Sequence, residues 1–287
     1  MPELPEVETV CAGLRPVMQG ARFKTVTLNR KDLRFPFPDG MVSRLEGIKI
    51  SRLSRRAKFL HAELSSGESL FMHLGMSGRF TIDAPGAPLS GGRHSPDVFT
   101  HAQKPYTKHD HVVFVMDNGA VITFNDPRRF GFMEMTAVGE PYRLDSLGPE
   151  PLGNGFSAPV LRAALKGKKS KIKSALLDQR VVAGLGNIYV CEALFKAGIS
   201  PTRSSGRLTQ AETEDLVVHI KDVLERAIAA GGSSLKDFAS ADGSLGYFQH
   251  SFDVYGREGE ACPVCTRPIV RTVQSGRSSF HCPKCQT

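Results

Sequence analysis

Two short cysteine pairs near the end of the chain constrain its fold more than any other feature. Cys262-Pro-Val-Cys265 and Cys282-Pro-Lys-Cys285 have sixteen residues between them. Each CxxC sets two thiolates on one tight knuckle. Two knuckles facing each other form the tetrahedral sulfur set that zinc prefers. Ile269–Val273 and Ser278–His281 are expected as the two arms of a joining hairpin. So small a module buries too little apolar surface to stand alone, so the metal, one structural Zn2+, holds it together. With four protein ligands, no position is left open for catalysis. Redox pairs or free thiols are the competing reading. Six cysteines in 287 residues are too few for a disulfide scaffold. Cys11 and Cys191 lie on apolar helix stripes and read as core.

The module is also basic. From Ala261 to the end there are four basic side chains and no acid, and Arg162–Arg180 holds seven basic residues against Asp178 alone. The formal net charge is +8, and it is uneven. Residues 1–150 carry 19 basic and 17 acidic side chains, residues 151–287 carry 18 and 12. Two concentrated basic zones point to a polyanion such as nucleic acid, or else to a solvated lysine-rich loop. No run approaches the roughly 20 apolar residues a membrane helix needs. The acidic start, Met1-Pro-Glu-Leu-Pro-Glu, lacks a secretory pattern, so the expected compartment is the cytoplasm.

Ahead of the module the chain reads as an α+β multidomain protein. Leu4–Gly20 is a helix, with Pro5 suited to its first position and Val7, Val10, Cys11, Leu14 and Met18 on one face. Pro16 is awkward there and brings the end earlier. Eight short strands follow: Phe23–Leu28, Gly47–Leu53, Phe59–Leu64, Ser69–Leu74, Arg79–Ile82, His111–Met116, Ala120–Phe124 and Phe132–Met135. Their Gly and Asp-Asn-Gly turns predict an antiparallel β-sandwich or barrel. Ala84–Pro105 has no periodicity and reads as a long mobile loop. After the linker Leu147–Gly153 come helices at Ser157–Leu165, Ser170–Leu177, Ile188–Ala197, Thr209–Ala230 and Ser233–Phe238. Thr209 and Glu212 form a capping box. The expected domains are 1–146, a β-sandwich; 147–250, a helical domain; and 251–287, the zinc finger.

The N-terminus offers chemistry. Removal of Met1 would expose the secondary amine of Pro2 beside the carboxylate of Glu3. A terminal amine, with a pKa of about 7.7–8.0, is far more often neutral at pH 7 than a lysine near 10.4. Its condensation with an aldehyde-like carbon gives a cationic iminium, an electron sink for elimination, and Glu3 sits where it could relay protons.

The run Pro2-Glu-Leu-Pro-Glu-Val-Glu-Thr9 and the zinc module together resemble the bacterial formamidopyrimidine-DNA glycosylase family. Further runs agree in order: Arg55–Lys58, Met72–Gly78, Lys108–His111, Asp126–Gly131, Leu147–Leu152, Gly184–Tyr189, Gly256-Arg257 and Cys282–Gln286. The resemblance implies a bifunctional glycosylase and AP lyase of base-excision repair. Its substrates would be 8-oxoguanine and formamidopyrimidines in duplex DNA, and β- and δ-elimination would follow. It implies a sandwich domain, a helix–two-turn–helix domain and a zinc-finger hairpin. The partner is damaged double-stranded DNA with the oxidised purine opposite cytosine, with no membrane and a monomeric enzyme.

The resemblance also assigns roles. Pro2 attacks C1′, Glu3 is the general acid/base, Lys58 donates a proton in β-elimination, and Arg277 binds phosphate and serves δ-elimination. Met76, Arg128 and Phe130 fill the gap left by the flipped nucleotide. His109, Lys168, Lys173 and Asn187 contact DNA. The Gly184-Leu-Gly186-Asn187 turn, before a helix, is expected to hold phosphate with its amides. His111 reads as structural, and Glu6 either organises the site or satisfies helix amides. Residues 240–247 match a loop that closes over the flipped base. The 84–105 segment is longer than the family pattern and lies over solvent or alters the approach to DNA. Two other readings compete: an endonuclease VIII-like enzyme for oxidised pyrimidines, and a zinc-dependent DNA-binding protein without catalysis.

Overall fold

The computed structural model describes residues 2–84, 108–137, 140, 142–233 and 247–287. Nearly all of the Ala84–Pro105 segment, the Ser233–Phe238 helix and the 240–247 loop lie outside the described residues. The chain divides into two compact units. The first is Met1–Pro2, Glu6–Pro141 and Ser233–Gly246; the second is Glu3–Pro5, Tyr142–Gly232 and Tyr247–Thr287.

In the first unit, helix α1 (Leu4–Met18) is followed by β1 (Phe23–Leu28) and a five-residue helix, α2 (Met41–Leu45). Then come β2 (Ile50–Arg56), β3 (Phe59–Leu64), β4 (Ser69–His73), β5 (Arg79–Asp83), β6 (Asp110–Met116), β7 (Val121–Asn125) and β8 (Phe132–Thr136). They form two four-stranded antiparallel sheets, in the orders β1-β6-β7-β5 and β2-β3-β4-β8. This is the expected sandwich. One apolar cluster fills it: Val7, Val10, Leu14 and Met18 of α1 meet Phe23, Leu60, Phe114, Ile122 and Phe124 from the sheets. Cys11 is fully buried there, as core. Pro16 stays inside α1, because the carbonyl it leaves without an amide, that of Ala12, is on the exposed face. One expectation shifts and one element is new. β2 begins at Ile50 rather than Gly47, because Gly47 takes φ +79 in the turn after α2. α2 itself is too short to show a helical period in sequence.

The second unit holds α3 (Ala158–Leu165), α4 (Ile172–Leu177), α5 (Asn187–Lys196) and α6 (Gln210–Ala229), then β9 (Val270–Gln274) and β10 (Arg277–His281). Thr209 caps α6 through the expected box with Glu212. Leu4, Leu161, Ile172, Leu176, Tyr189 and Leu216 belong to its main core. β9 and β10 pair antiparallel, joined by Ser275 and Gly276 at φ 49 and 73. Positive φ at both central residues is what a tight two-residue hairpin turn requires. The zinc module is packed onto α5: Cys191 and Phe195 share a small core with Val254, Cys262, Ile269 and Cys282. Among the described residues, no helix is long and apolar enough to cross a membrane.

Candidate functional site

In the second unit, the start of the chain is seated on the first turn of α5. Glu3 is buried, and its Oε1 accepts the Ile188 N–H at 3.1 Å. The free amides and the dipole of a helix N-terminus favour an anion at that point. The Leu4 N–H donates to the Gly184 carbonyl at 3.2 Å, and the Gly184 N–H donates to Gln179 Oε1 at 2.8 Å. A Cβ on Gly186 would overlap the Glu3 carboxyl carbon. One on Gly184, at φ +82, would press on the Leu4 side chain. Residues 3 and 4 thus occupy part of the turn at Gly184–Asn187 that was expected to hold phosphate. The glycines make room for residues 3 and 4, and the carboxyl group at the helix N-terminus is the protein's own Glu3. Pro2 is buried and belongs to the first unit.

The same unit anchors Arg277. Arg277 is the first residue of β10 and is exposed. The next carbonyl, Ser278 O, accepts from Lys173 Nζ at 2.7 Å and from Asn187 Nδ2 at 2.9 Å. Lys173 Nζ also donates to Ser279 Oγ at 2.7 Å, and Arg271 Nε donates to Ser278 Oγ at 2.9 Å. Lys173, expected among the phosphate ligands, is placed under the hairpin. The residue is fully buried, and two of its three N–H donors hold the hairpin. Burial is the main reason its ammonium is held below the ordinary lysine pKa. Asn187 spends one amide donor on Ser278 and is half-buried. Lys168 is half-buried between α3 and α4, while Lys166, Lys169 and Lys171 are exposed. Its carbonyl accepts the Gly206 N–H at 3.2 Å.

The four module cysteines place their Sγ atoms within 4.8 Å of one another. Cys262 and Cys285 are 3.9 Å apart and Cys265 and Cys282 3.4 Å. Zinc–sulfur bonds of about 2.3 Å in a tetrahedron put sulfurs about 3.8 Å apart, so the set fits one ion. The crowding pushes the Cys285 thiol up to about 12, chiefly through its hydrogen bond with Cys265. The N–H groups of Val264 and Cys285 point at Cys262 Sγ and Cys282 Sγ, the arrangement of a metal knuckle. The module holds one structural zinc.

In the first unit, five expected residues sit on turns. Lys58 occupies the β2–β3 turn, buried, beside Ala57 at φ 53. Arg55 braces this turn, with Nη1 donating to the Ala57 carbonyl at 2.9 Å and Nε to Glu8 Oε2 of α1 at 2.7 Å. Met76 is half-buried on the β4–β5 turn, while Arg128 and Phe130 are exposed on the β7–β8 turn, Phe130 by 42%. The Arg128 guanidinium lies 5.0 Å from the Phe130 ring centroid. His109 stands just before β6, half-buried; its neighbour His111 is buried, with Nε2 2.8 Å from the Asp126 carbonyl. Glu6 takes Ser233, accepting its N–H at 2.8 Å and its hydroxyl at 3.0 Å.

Three structural residues carry no signal of their role in sequence: Asp126, Arg55 and Glu192. Glu192, buried on α5, accepts the N–H groups of Asp253, Val254 and Tyr255 at 2.8, 3.1 and 2.8 Å. It ties α5 to the segment entering the zinc module. Nothing in its sequence setting, Cys191-Glu192-Ala193, separates it from a surface glutamate.

Comparison with known proteins covers the same regions. Residues 1–133 match the formamidopyrimidine-DNA glycosylase N-terminal domain, 147–239 its H2TH domain, and 259–287 a zinc finger found in FPG and IleRS. The chain is 58% identical to a formamidopyrimidine-DNA glycosylase of Ruegeria pomeroyi and 55% to one of Caulobacter vibrioides, with 100% of each chain covered. Among solved structures, the MutM (Fpg) protein of Thermus thermophilus aligns at TM-score 0.84 and 38% identity, over 99% of this chain and 98% of that one. Lactococcus lactis Fpg in complex with DNA containing an abasic site aligns at 0.85 and 33%, over 100% of both.

Proposed function

The chain belongs to the formamidopyrimidine-DNA glycosylase family, and on that premise we propose that it excises oxidised purines from duplex DNA and cleaves the strand. It is a DNA-binding base-excision-repair glycosylase with AP lyase activity and a structural zinc. The seating of Glu3 carries the assignment of roles. A buried carboxylate beside Pro2, given a helix N-terminus and a cleared glycine, is built to stay in place and to exchange a proton.

With Met1 removed, the Pro2 amine attacks C1′ of the damaged nucleotide. The glycosidic electron pair leaves on the base, which takes a proton. Loss of the amine proton and opening of the sugar ring give the iminium, with Glu3 as the proton carrier. Removal of a C2′ proton expels the 3′ phosphate, and a second elimination expels the 5′ phosphate. Lys58 serves the first elimination and Arg277 the second. Met76, Arg128 and Phe130 fill the vacated stack, with Arg128 directed at the cytosine left opposite. His109, Lys168 and Asn187 contact the backbone. Lys173 holds the hairpin that presents Arg277. The working division is 1–146 for chemistry, 147–250 for duplex binding and 251–287 for the finger. The enzyme acts as a monomer in the cytoplasm, on the nucleoid.

Borohydride trapping on an 8-oxoguanine:cytosine duplex tests this. The intact protein should form a covalent adduct, and Pro2→Gly should bind the duplex but lose most of it. Undiminished trapping by Pro2→Gly would move the nucleophile elsewhere. Faster excision of thymine glycol than of 8-oxoguanine would reassign the substrate to pyrimidines.

A further inference from the structure

Asp126 is the first residue after β7 and is fully buried. A buried carboxylate persists only where its oxygens are satisfied. Here each oxygen serves a different turn. Oδ1 accepts the Ser77 hydroxyl of the β4–β5 turn at 2.6 Å, and Oδ2 accepts the Gly131 N–H of the β7–β8 turn at 2.7 Å. The Ser77 oxygen in turn accepts the Arg128 N–H at 3.2 Å. The backbone of Asp126 extends the network. Its N–H donates to the His109 carbonyl at 3.0 Å, and its own carbonyl accepts the Arg129 N–H at 3.2 Å. The His111 ring nitrogen lies 2.8 Å from the same carbonyl, which only accepts, so that nitrogen carries the hydrogen.

The turns are also in backbone contact. Gly75 stands at φ +63, and a Cβ there would overlap the backbone of Phe130 and Gly131. A Cβ on Gly131 would come within 2.9 Å of the His73 carbonyl and 3.0 Å of Asp126 Oδ2. Met76 therefore rides on one turn, and Arg128 and Phe130 on the other, with a single carboxylate setting one against the other. The three side chains are exposed or half-exposed and have no core of their own to hold them.

We propose that Asp126 is the positioning residue that keeps Met76, Arg128 and Phe130 in register for entry into the DNA stack. This rests on the glycosylase reading above. Asp126 does not meet the reacting atoms; it acts through Ser77 and Gly131. The network also states which replacement should be tolerated. Asparagine can accept the Gly131 N–H with its oxygen and donate to Ser77 Oγ with its nitrogen, which keeps both links and leaves only the Ser77 hydroxyl hydrogen without its acceptor. Alanine can do neither and leaves a buried N–H and a buried hydroxyl unpaired.

The test uses the full-length zinc-loaded protein and separates base eviction from lyase chemistry. Three quantities are measured: single-turnover excision of 8-oxoguanine opposite cytosine, borohydride trapping at a preformed abasic site, and fluorescence of a 2-aminopurine beside a tetrahydrofuran abasic analogue. Asp126→Ala should slow excision by about tenfold or more, since small misplacements of acting groups carry losses of that size. It should also lose the fluorescence rise that marks unstacking, and keep abasic-site trapping. Asp126→Asn, which keeps both links, should stay close to the natural protein in all three and well above the alanine variant. Should Asp126→Ala fail to fold, Ser77→Ala, which cuts the same link from the other turn, should give the same split. Natural excision by the alanine variants, equal loss of excision and trapping, or an asparagine variant as damaged as the alanine one would each overturn the proposal. Absence of any adduct with the natural protein would instead remove the glycosylase reading, and the fluorescence signal would still decide the role of Asp126.

Discussion

The turns of the first unit and the hairpin of the second both hold exposed side chains at fixed positions, by opposite means. Met76, Arg128 and Phe130 stand on connections of a large sandwich, whose core runs from Val7 to Met133. That core already orders the strand ends, so one buried carboxylate suffices to register the turns. Arg277 stands on a two-stranded ribbon whose own core is a handful of residues around the cysteines. A lone hairpin is marginal in water. There, order comes from four thiolates on one metal and from Lys173 and Asn187, which both bind Ser278. The amount of apolar surface beneath a functional tip decides how much polar and metal bonding it needs.

Zinc removal should break the comparison most sharply. Structural zinc is worth about 10–16 kcal/mol in small modules. Chelation or Cys282→Ala should therefore open the finger to protease and abolish DNA binding, while the sandwich keeps its unfolding transition. Loss of the sandwich at the same time would show that the two regions are not independently held.

A smaller effect is expected at Lys173. Lys173→Ala should lower the stability of the second unit by about 2–4 kcal/mol, through a cavity and two lost hydrogen bonds, read from denaturant unfolding. Burial holds this ammonium below its ordinary pKa. The folded chain therefore gives up the proton at lower pH than the unfolded chain does. Stability from this group accordingly rises with pH from the lowered value up to about 10.4, and the alanine variant should flatten that rise. The salt dependence of DNA affinity separates the two cations. Arg277→Ala should reduce the log–log slope by about 0.9, as one lost phosphate contact does, and Lys173→Ala should leave it unchanged. An equal drop for both would restore Lys173 to the phosphate contacts.

Phe130→Ala should change stability least, within about 0.5 kcal/mol, because the ring is 42% exposed. Its excision of 8-oxoguanine should nevertheless fall. A stability loss above 1.4 kcal/mol, a tenfold change in the folding equilibrium, would mean that the turn depends on its own side chains.

Much of this was legible in the residues. The cysteine spacing announced the zinc module because metal geometry demands two paired knuckles. The eight strands and the Thr209 cap followed from local pattern. What misled was residue type without surroundings. Gly184 and Gly186 signalled a close approach, as glycines do, but not what approaches: Glu3 and Leu4, far away in sequence. Lys173 lies in a lysine run whose members at 166, 169 and 171 are exposed, and α4 has only six residues, too few to mark one lysine as inward. Asp126 was visible inside Asp126–Gly131, yet its partners at Ser77 and His109 come from other strands' ends.

The kinds of chemistry available are written along the chain: a secondary amine beside a carboxylate, four thiols at metal spacing, and a sandwich followed by helices. Those depend on neighbours within a few residues, where the covalent chain limits the geometry. Which charges are spent inside the protein and which face outward is settled by folding. It put Glu3 on the helix N-terminus where a phosphate was expected, buried Lys173 under the hairpin, and joined two turns through Asp126. Each is a pairing between distant segments, settled by burial and by the need to satisfy every buried polar group.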